Sequence, residues 1–385
     1  MRVIFACAGT GGHVNPAIAM ARIILEYNKD SQILFIGTKN GLENKLVKNA
    51  GFEIRHISTG KLIRSFTLKN FKAVFDTYKG IGDSKKIIEE FKPDLVIGTG
   101  GYICGPVMLA AKKLGIPYML HESNAFPGIS VKLLAKKADC VMLGFEAAKE
   151  RLKRKDNLVY TGTPAKFNES MFKNLDKEAC RKKIGLENID KKIILVTCGS
   201  QGAKKINETI IKMLNNSLSE KYFIILVTGD ASFEQIKNNL KDIEKDKKVD
   251  LSKYIKLEKF VFNMDEMYKA VDMCITRAGA MTITELSITK KPAILIPLPT
   301  AAENHQYYNA KVLENIGSGK IIEQKDLNET MLNETILNMI ENNNLEKMST
   351  AFEKINDSNN SNNRNSNNIE KNIYECIEKV MKDKV

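Results

Sequence analysis

Short apolar runs rich in β-branched residues alternate with longer amphipathic stretches along most of this chain. This repeated strand-then-helix pattern is typical of a parallel sheet covered by helices on both faces. In the first half, a helix is predicted over about Pro16–Tyr27, and strands are predicted at Val3–Cys7, Gln32–Ile36, Asp94–Gly98, Pro117–Leu120 and Cys140–Leu143. The first half is therefore expected to form one doubly wound α/β domain.

The same alternation begins again after Thr161-Gly162-Thr163-Pro164, which we interpret as the hinge between two domains. Strands of the second half are predicted at Lys192–Thr197, Tyr222–Thr228, Ile255–Lys259, Met273–Thr276 and Ala293–Pro297. Two Rossmann-like domains in one chain usually bind a ligand in the cleft that they face. We expect an N-terminal domain over residues 1–163 and a C-terminal domain over residues 164–355.

The last 30 residues of the chain show a different pattern. Residues 356–368 are nearly all Asn and Ser, and this composition cannot bury apolar area, so a flexible loop is predicted. A helix is predicted over residues 369–385, regular from Ile369 to about Lys382, with apolar Ile373, Ile377 and Val380 on one side.

The charge balance indicates an anionic partner. The chain has 59 Lys and Arg against 46 Asp and Glu, a formal net charge of +13. The excess lysines are spread along the chain, with no basic cluster interleaved with aromatic residues, so we expect no nucleic-acid partner. A non-catalytic nucleic-acid-binding protein remains the alternative from a different functional class.

Cysteine usage and hydropathy favour a cytosolic protein. The seven Cys are scattered without a CxxC pair, which argues for a reduced compartment and against a structural zinc site. No apolar run approaches the ~20 residues that a spanning helix needs. The N-terminus has no hydrophobic signal-peptide core before its first glycine turn. Any membrane contact is therefore expected to be peripheral.

Glycine turns follow two strands of the first half. Gly9–His13 opens a helix, where glycines let a ligand approach the backbone and the helix N-terminus favours negative charge. Gly98–Tyr102 is a second such turn, and His121–Asn124 gathers acid, base and amide groups just after a predicted strand. These segments could frame one anion at a shared sheet edge. The alternative is a set of tight turns and solvated loops without a ligand.

Two comparable turns occur in the second half. The Gly199–Lys204 segment places N–H groups and a hydroxyl at a helix start, but it lacks the P-loop spacing. Arg277–Thr282 follows a strand in the same way, and Glu285 lies one turn further along the predicted helix. A carboxylate there can accept both hydroxyls of a ribose. The alternative is an ordinary acidic residue that stabilises the helix dipole.

Seven motifs occur in a fixed order between Met1 and about Asn309: GTGGHVNPAIA, GTGGYICGP, HESNAFPG, GTPAK, CGSQGAKKIN, RAGAMTITE and AENHQYYNA. In these motifs the chain resembles the MurG family of bacterial peptidoglycan glycosyltransferases. The resemblance implies a GT-B fold, with two Rossmann-like domains and the donor in the C-terminal one. It also implies that the last helix crosses back to the N-terminal domain. The implied reaction moves N-acetylglucosamine (GlcNAc) from UDP-GlcNAc onto undecaprenyl-diphospho-MurNAc-pentapeptide (lipid I), forming lipid II.

The family's roles carry over to individual positions of this chain. On the N-terminal side, Thr10, Gly11, Gly12 and Asn124 would approach the donor, and Tyr102, His121 and Glu122 match active-site positions. On the C-terminal side, Ser200 would hold the diphosphate, Val261 would read uracil through its main chain, and Glu285 would bind the ribose. The remaining matches are Asn207, Arg277, Ala280, Met281, Thr282, Ile283, Thr284 and Gln306. Lys166 stands where the family usually has Arg, which keeps the charge but loses the two-pronged fork.

The implied chemistry is a direct displacement that inverts the anomeric carbon. A sugar hydroxyl attacks GlcNAc while negative charge grows on the departing UDP, and helix N-termini with Arg277 would stabilise that charge. We therefore expect no metal and no cofactor. The general base that takes the acceptor proton is predicted to be His13, with Glu122 as its rival.

The resemblance places the enzyme on the cytoplasmic side of the inner membrane, where its lipid acceptor lies. Apolar residues recur at helical spacing between lysines, as a helix on an anionic bilayer requires: Leu68, Phe71, Val74, Phe75 and Tyr78, with Lys69, Lys72 and Lys79. The alternative is an ordinary core-facing helix. The resemblance leaves room for contacts with other cell-wall synthesis proteins. Alternative enzymes of the same fold are a diacylglycerol glycosyltransferase and a UDP-GlcNAc 2-epimerase.

Overall fold

The computed structural model describes residues 1–60, 68–199, 202–354 and 368–383, without the side chains of residues 68–74. These residues form two compact units. The first unit contains Met1–Lys166 and the C-terminal helix, and the second begins at Phe167. The predicted boundary was after residue 163, whereas Pro164, Ala165 and Lys166 also belong to the first unit.

The first unit is built on seven parallel strands in the order β3-β2-β1-β4-β5-β6-β7. The strands are β1 (Arg2–Cys7), β2 (Gln32–Gly37), β3 (Glu53–His56), β4 (Leu95–Gly100), β5 (Tyr118–Glu122), β6 (Cys140–Leu143) and β7 (Leu158–Tyr160). The helices are α1 (Gly11–Tyr27), α2 (Glu43–Asn49), α3 (Leu68–Phe91), α4 (Cys104–Lys113) and α5 (Ile129–Leu134). They cover both faces of the sheet with apolar cores.

Three features of the first unit correct the expectations from sequence. Helix α1 begins at Gly11, five residues before Pro16, because Pro16 is accommodated inside the helix. Strand β5 continues through His121 and Glu122, so these two polar residues end a buried strand and do not follow it. Strands β3 and β7 were not predicted, since they are short and only partly buried and lack a continuous apolar run.

The C-terminal helix (Ile369–Lys382) packs against α1 and β6 of the first unit. Ile373, Ile377 and Val380 are buried there, as the helical spacing predicted. The helix begins after Asn368, whose side chain accepts a hydrogen bond from the Lys371 N–H. Asn368 is therefore a helix N-cap and not part of the predicted flexible loop, and the rest of that loop, residues 356–367, lies outside the described residues.

The second unit has six parallel strands in the order β10-β9-β8-β11-β12-β13. The strands are β8 (Lys192–Thr197), β9 (Tyr222–Val227), β10 (Ile255–Glu258), β11 (Met273–Thr276), β12 (Ala293–Leu295) and β13 (Gly319–Ile321). The helices are α6 (Glu169–Lys173), α7 (Lys177–Lys183), α8 (Lys204–Asn216), α9 (Phe233–Lys247), α10 (Met264–Ala270), α11 (Ala280–Thr289), α12 (His305–Ile316), α13 (Glu329–Ile340) and α14 (Asn344–Thr350). In sequence order this is the 3-2-1-4-5-6 arrangement of a Rossmann sheet.

Both sheets reverse their strand order once, between β1 and β4 in the first unit and between β8 and β11 in the second. Open α/β sheets bind ligands beyond the carboxyl ends of the strands at such switch points. The loops after these four strands carry the glycine-rich motifs. Among the described helices, none is long and apolar enough to cross a bilayer.

Candidate functional site

The loop between β1 and α1 holds the imidazole of His13 at the first switch point. Its Nδ1 lies 3.1 Å from the Ala8 carbonyl oxygen, which can only accept, so Nδ1 carries the proton and the lone pair of the neutral ring is on Nε2. The Thr99 hydroxyl donates to the His13 carbonyl at 2.7 Å. Thr10 and Gly12 are exposed and Gly11 is half-buried at the start of α1.

The chain at the end of β4 packs closely against this histidine and its loop, because Gly100 and Gly101 have no side chain. A Cβ on Gly100 would lie 2.6 Å from His13 Cδ2, and a Cβ on Gly101 would lie 2.4 Å from the Ala8 oxygen. Both residues also have positive φ, at 116° and 88°. The two predicted glycine turns, Gly9–His13 and Gly98–Tyr102, therefore pack against each other. Tyr102, at the end of the second turn, is half-buried.

At the end of β5, His121 is fully buried. Its Nε2 lies 3.3 Å from the Gly162 carbonyl and its Nδ1 lies 3.1 Å from the Ser123 hydroxyl. Burial lowers the pKa of His121 to about 4, so the ring is neutral at physiological pH. Its environment suits a residue that connects β5 to the 161–164 segment.

Glu122 is also buried, and both its oxygens accept hydrogen bonds. Oε1 accepts from the Asn124 backbone N–H at 2.9 Å and from the Asn124 side-chain amide at 3.0 Å, and Oε2 accepts from the Gly128 N–H at 2.8 Å. Burial raises the pKa of Glu122, although these donors oppose the shift. The carboxylate thus organises the loop that carries Asn124.

In the second unit, α11 presents its N-terminus after β11. The N–H groups of the first helical residues, Ala280, Met281 and Thr282, have no acceptor within the helix. The Ile283 N–H already donates to the Gly279 carbonyl at 3.0 Å, and the Ile283 side chain is fully buried. Thr284 is buried as well. The first three residues can therefore bind an anion through their backbone, whereas Ile283 supports the helix from the core.

Glu285 lies one turn further along α11 and is 8% exposed. Its Oε2 accepts a hydrogen bond from the Tyr268 hydroxyl at 3.2 Å. Burial and the neighbouring Glu285 charge raise the pKa of Tyr268 well above its ordinary value, so this hydroxyl stays protonated and donating. Tyr268 was not identified from the sequence, because nothing in its spacing links it to Glu285.

The guanidinium of Arg277 is held by the protein itself. Nη1 donates to the Ile296 and Pro297 carbonyls at 3.0 and 3.2 Å, and Nη2 donates to Gln324 Oε1 at 2.6 Å. Burial lowers the pKa of Arg277. The side chain therefore contributes its charge from a fixed position after β11. Gln324 was missed by sequence reasoning, since it lies 47 residues away in an unremarkable loop.

The other predicted residues occupy diverse environments. Asn207 is buried on α8 and donates to the Thr228 carbonyl at 3.2 Å, and Gln306 Oε1 accepts from the Leu298 N–H at 2.9 Å. Val261 is half-buried in the loop after β10, and Lys166 is exposed at the end of the first unit. Ser200 lies outside the described residues. Within the described parts of the chain, no group of His, Cys, Asp and Glu could hold a metal ion.

Comparison with known proteins assigns both units to one family. Residues 3–143 match the glycosyltransferase family 28 N-terminal domain, and residues 193–365 match the family 28 C-terminal domain. Together the two matches span most of the chain.

Curated relatives match most or all of the chain. A protein from a Thermoanaerobacter species is 39% identical over 356 residues, which is 92% of this chain and 95% of that protein. One from Acetivibrio thermocellus is 36% identical over 385 residues, covering 100% and 99%. Both are named UDP-N-acetylglucosamine–N-acetylmuramyl-(pentapeptide) pyrophosphoryl-undecaprenol N-acetylglucosamine transferase. The crystal structure of Acinetobacter baumannii MurG is similar with a TM-score of 0.74 and 27% identity, covering 97% of this chain and 99% of that one.

Proposed function

Because the chain belongs to glycosyltransferase family 28, and within it to the MurG transferases of lipid II synthesis, we propose that it transfers GlcNAc from UDP-GlcNAc to the MurNAc 4-hydroxyl of lipid I. The observation that carries the proposal is the identity of 36–39% to named transferases along essentially the whole chain. The position of the motif-bearing loops at both switch points supports it.

We assign donor binding to the second unit. The Ala280, Met281 and Thr282 N–H groups and the positive end of α11 would stabilise the diphosphate, and Arg277 would add a fixed positive charge. Glu285 would accept the ribose hydroxyls, with Tyr268 holding its carboxylate. Ser200, Val261, Gln306 and Asn207 complete the proposed donor site. This donor site relies on backbone dipoles and a guanidinium, so the proposal includes no metal and no cofactor.

We assign acceptor activation to the first unit. The neutral His13 tautomer carries its lone pair on Nε2, as a base that removes the acceptor proton requires. Glu122 is a poorer candidate, because both its oxygens already accept hydrogen bonds that organise the Asn124 loop. Thr10, Gly11, Gly12 and Asn124 would contact the substrates beside this base, with Tyr102 and Lys166 around them. His121, which is fully buried, would support this site from beneath.

A coupled UDP-release assay with UDP-GlcNAc and a short-chain lipid I analogue tests the proposed reaction. UDP release together with a disaccharide product is the expected result. Transfer to diacylglycerol, or conversion of UDP-GlcNAc to its 2-epimer without an acceptor, would replace the proposal with one of the alternative enzymes. Salt-dependent DNA binding without affinity for UDP-GlcNAc would favour the nucleic-acid-binding alternative.

We further propose that the first unit docks on the anionic cytoplasmic surface of the inner membrane. Phe75 and Tyr78 on α3 are 69% and 73% exposed, so the core-facing alternative is wrong for these two residues. The side chains of Leu68, Phe71 and Val74 lie outside the described part. Exposed Ile129 and Leu133 on α5 accompany Lys132, Lys136 and Lys137, a combination of apolar and basic side chains that suits an anionic bilayer.

Vesicle flotation with phosphatidylglycerol tests this docking. The double variant Phe75→Ser/Tyr78→Ser should lose binding, whereas Phe262→Ser should keep it, because Phe262 is 84% exposed but belongs to the second unit. Added salt should release the wild type, since lysine attraction is screened within about 8 Å at physiological ionic strength. Equal binding of both variants and the wild type would contradict the proposed surface.

A further inference from the structure

Glu43, the first residue of α2, is a buried carboxylate with no role among the residues considered so far. It is 0% exposed. Its Oε1 accepts from the Thr38 backbone N–H at 2.9 Å and from the Thr38 hydroxyl at 2.6 Å, and its Oε2 accepts from the Gly9 N–H at 3.3 Å. All three donors are neutral. A buried acidic side chain needs hydrogen-bond partners for its oxygens, and here two separate segments of the chain, Thr38 and Gly9, supply them.

The chain is shaped around this carboxylate. A Cβ on Gly41 would lie 2.0 Å from Glu43 Oε1, and a Cβ on Gly37 would lie 2.8 Å from Glu43 Cγ. The β2–α2 loop therefore encloses the side chain and fixes its direction toward the β1–α1 loop.

The hydrogen bond from Gly9 connects Glu43 to His13 through a single peptide group. The Gly9 N–H and the Ala8 carbonyl belong to the same peptide unit. That N–H donates to Glu43, and that carbonyl accepts from His13 Nδ1 at 3.1 Å. The order is carboxylate, peptide, imidazole, and each bond polarises the next. At 3.3 Å, the bond from Gly9 is the longest of the three that Glu43 accepts.

We propose that Glu43 is a positioning residue for His13: through the Ala8–Gly9 peptide it fixes the Nδ1-protonated tautomer and stabilises the imidazolium that forms when Nε2 takes the acceptor proton. A carboxylate that contacts a catalytic histidine directly does the same in hydrolase triads. Here a peptide dipole stands between the two groups. This inference rests on the proposed function, because it assumes that His13 is the base.

Other titratable groups lie near Glu43 and His13, and their protonation states bear on the test. Cys7 on β1 and Cys104 on α4 are buried, and burial raises the pKa of Cys7 well above its ordinary value and that of Cys104 to about 12, so both thiols stay neutral. The charge of Glu122 on β5 also raises the pKa of Cys104. His56 on β3 is hydrogen-bonded to Asn44. The test must therefore measure the titration of His13 directly.

Glu43→Gln removes the charge with little change in shape, and it is measured in the lipid I assay and by NMR titration of isotope-labelled histidines. The chain has four histidines, so His13 can be assigned by substitution. We expect kcat to fall about 10- to 100-fold, as for outer carboxylates that orient histidines, with the KM for UDP-GlcNAc nearly unchanged. The pKa of His13 should fall, because the anion no longer stabilises its charged form.

A double-mutant cycle separates positioning from general support of the fold. In a His13→Ala background, Glu43→Gln should cause no further loss of kcat, because its partner is already absent. Asp83→Asn is the matched control, since Asp83 also accepts a backbone N–H, but from Ser58 at 2.8 Å and not from the Ala8–Gly9 peptide. It should leave the His13 titration unchanged.

Multiplicative losses in the double variant, or an unchanged His13 titration in Glu43→Gln, would overturn the inference. If Glu43→Gln fails to bind UDP or melts early, Glu43→Asp decides, because it keeps the charge but withdraws it from Gly9. Wild-type kcat for Glu43→Asp would also overturn the inference. An inactive wild type would contradict the proposed function instead, and the NMR arm would still test the coupling.

Discussion

Acidification should lower the free energy of unfolding of the first unit, because His121 becomes protonated. This side chain is fully buried, and its pKa is lowered from 6.5 to about 4. Because the unfolded chain binds a proton at higher pH than the folded one, the stabilising contribution is complete above pH 6.5. It is lost as the pH falls toward 4. A lowering of this size corresponds to about 3 kcal/mol, and about 2 kcal/mol of this is lost by pH 5.

The assay is urea unfolding of the wild type and of His121→Gln at pH 7 and pH 5, followed by a probe in the first unit. Glutamine can hydrogen-bond the Gly162 carbonyl but does not titrate, so the variant should lose about 2 kcal/mol less than the wild type between the two pH values. The comparison uses the difference between pH values, so any constant cost of the substitution cancels. The same pH dependence in both proteins would refute the reasoning.

Three further perturbations address the donor site, the metal and the last helix. Glu285→Ala should weaken UDP and UDP-GlcNAc binding alike by roughly 10- to 150-fold in calorimetry, because a hydrogen bond to a charged group contributes roughly 1.5–3 kcal/mol; an unchanged UDP affinity would remove Glu285 from the site. GlcNAc transfer should persist in excess EDTA, since helix N-termini and Arg277 face the diphosphate charge in our proposal; activity that returns only with added magnesium would contradict this. Asn368→Ala should cost about 1 kcal/mol of stability by removing the N-cap of the C-terminal helix, and an unchanged denaturant midpoint would show that the cap is not needed.

Much of the fold could be predicted because the strands at the centres of both sheets are continuous apolar runs. For Lys192–Thr197 and Met273–Thr276, the predicted bounds of the strand are the same as those in the structure. The missed strands, β3, β7 and β13, are three or four residues long and partly exposed, so their formation depends on pairing with a neighbour. Local periodicity carries no information about such pairing.

The candidate site was predictable to a different degree. Glycine turns at strand ends could be located, since the backbone conformations of Gly100 and Gly101 require that residue. The partners of the functional side chains could not, because Tyr268 and Gln324 reach Glu285 and Arg277 only through tertiary packing. The carboxylate of Glu122 was predicted as an alternative base, but its three hydrogen bonds depend on the turn at Asn124–Gly128.

Glu43 and Glu122, two buried carboxylates of the first unit, show how one chemical group takes different tasks at one sheet edge. Glu122 lies at the end of β5, and both its oxygens accept hydrogen bonds from the loop that follows it. Glu43 lies on α2 and accepts a hydrogen bond from the loop after a neighbouring strand, β1. Only the second arrangement connects separate segments of the chain at the switch point. A residue far from the motif in sequence can therefore control the motif's histidine, and it does so through the main chain. For this reason glycine positions such as Gly37 and Gly41, which make room for Glu43, should tolerate alanine less well than their distance from His13 suggests.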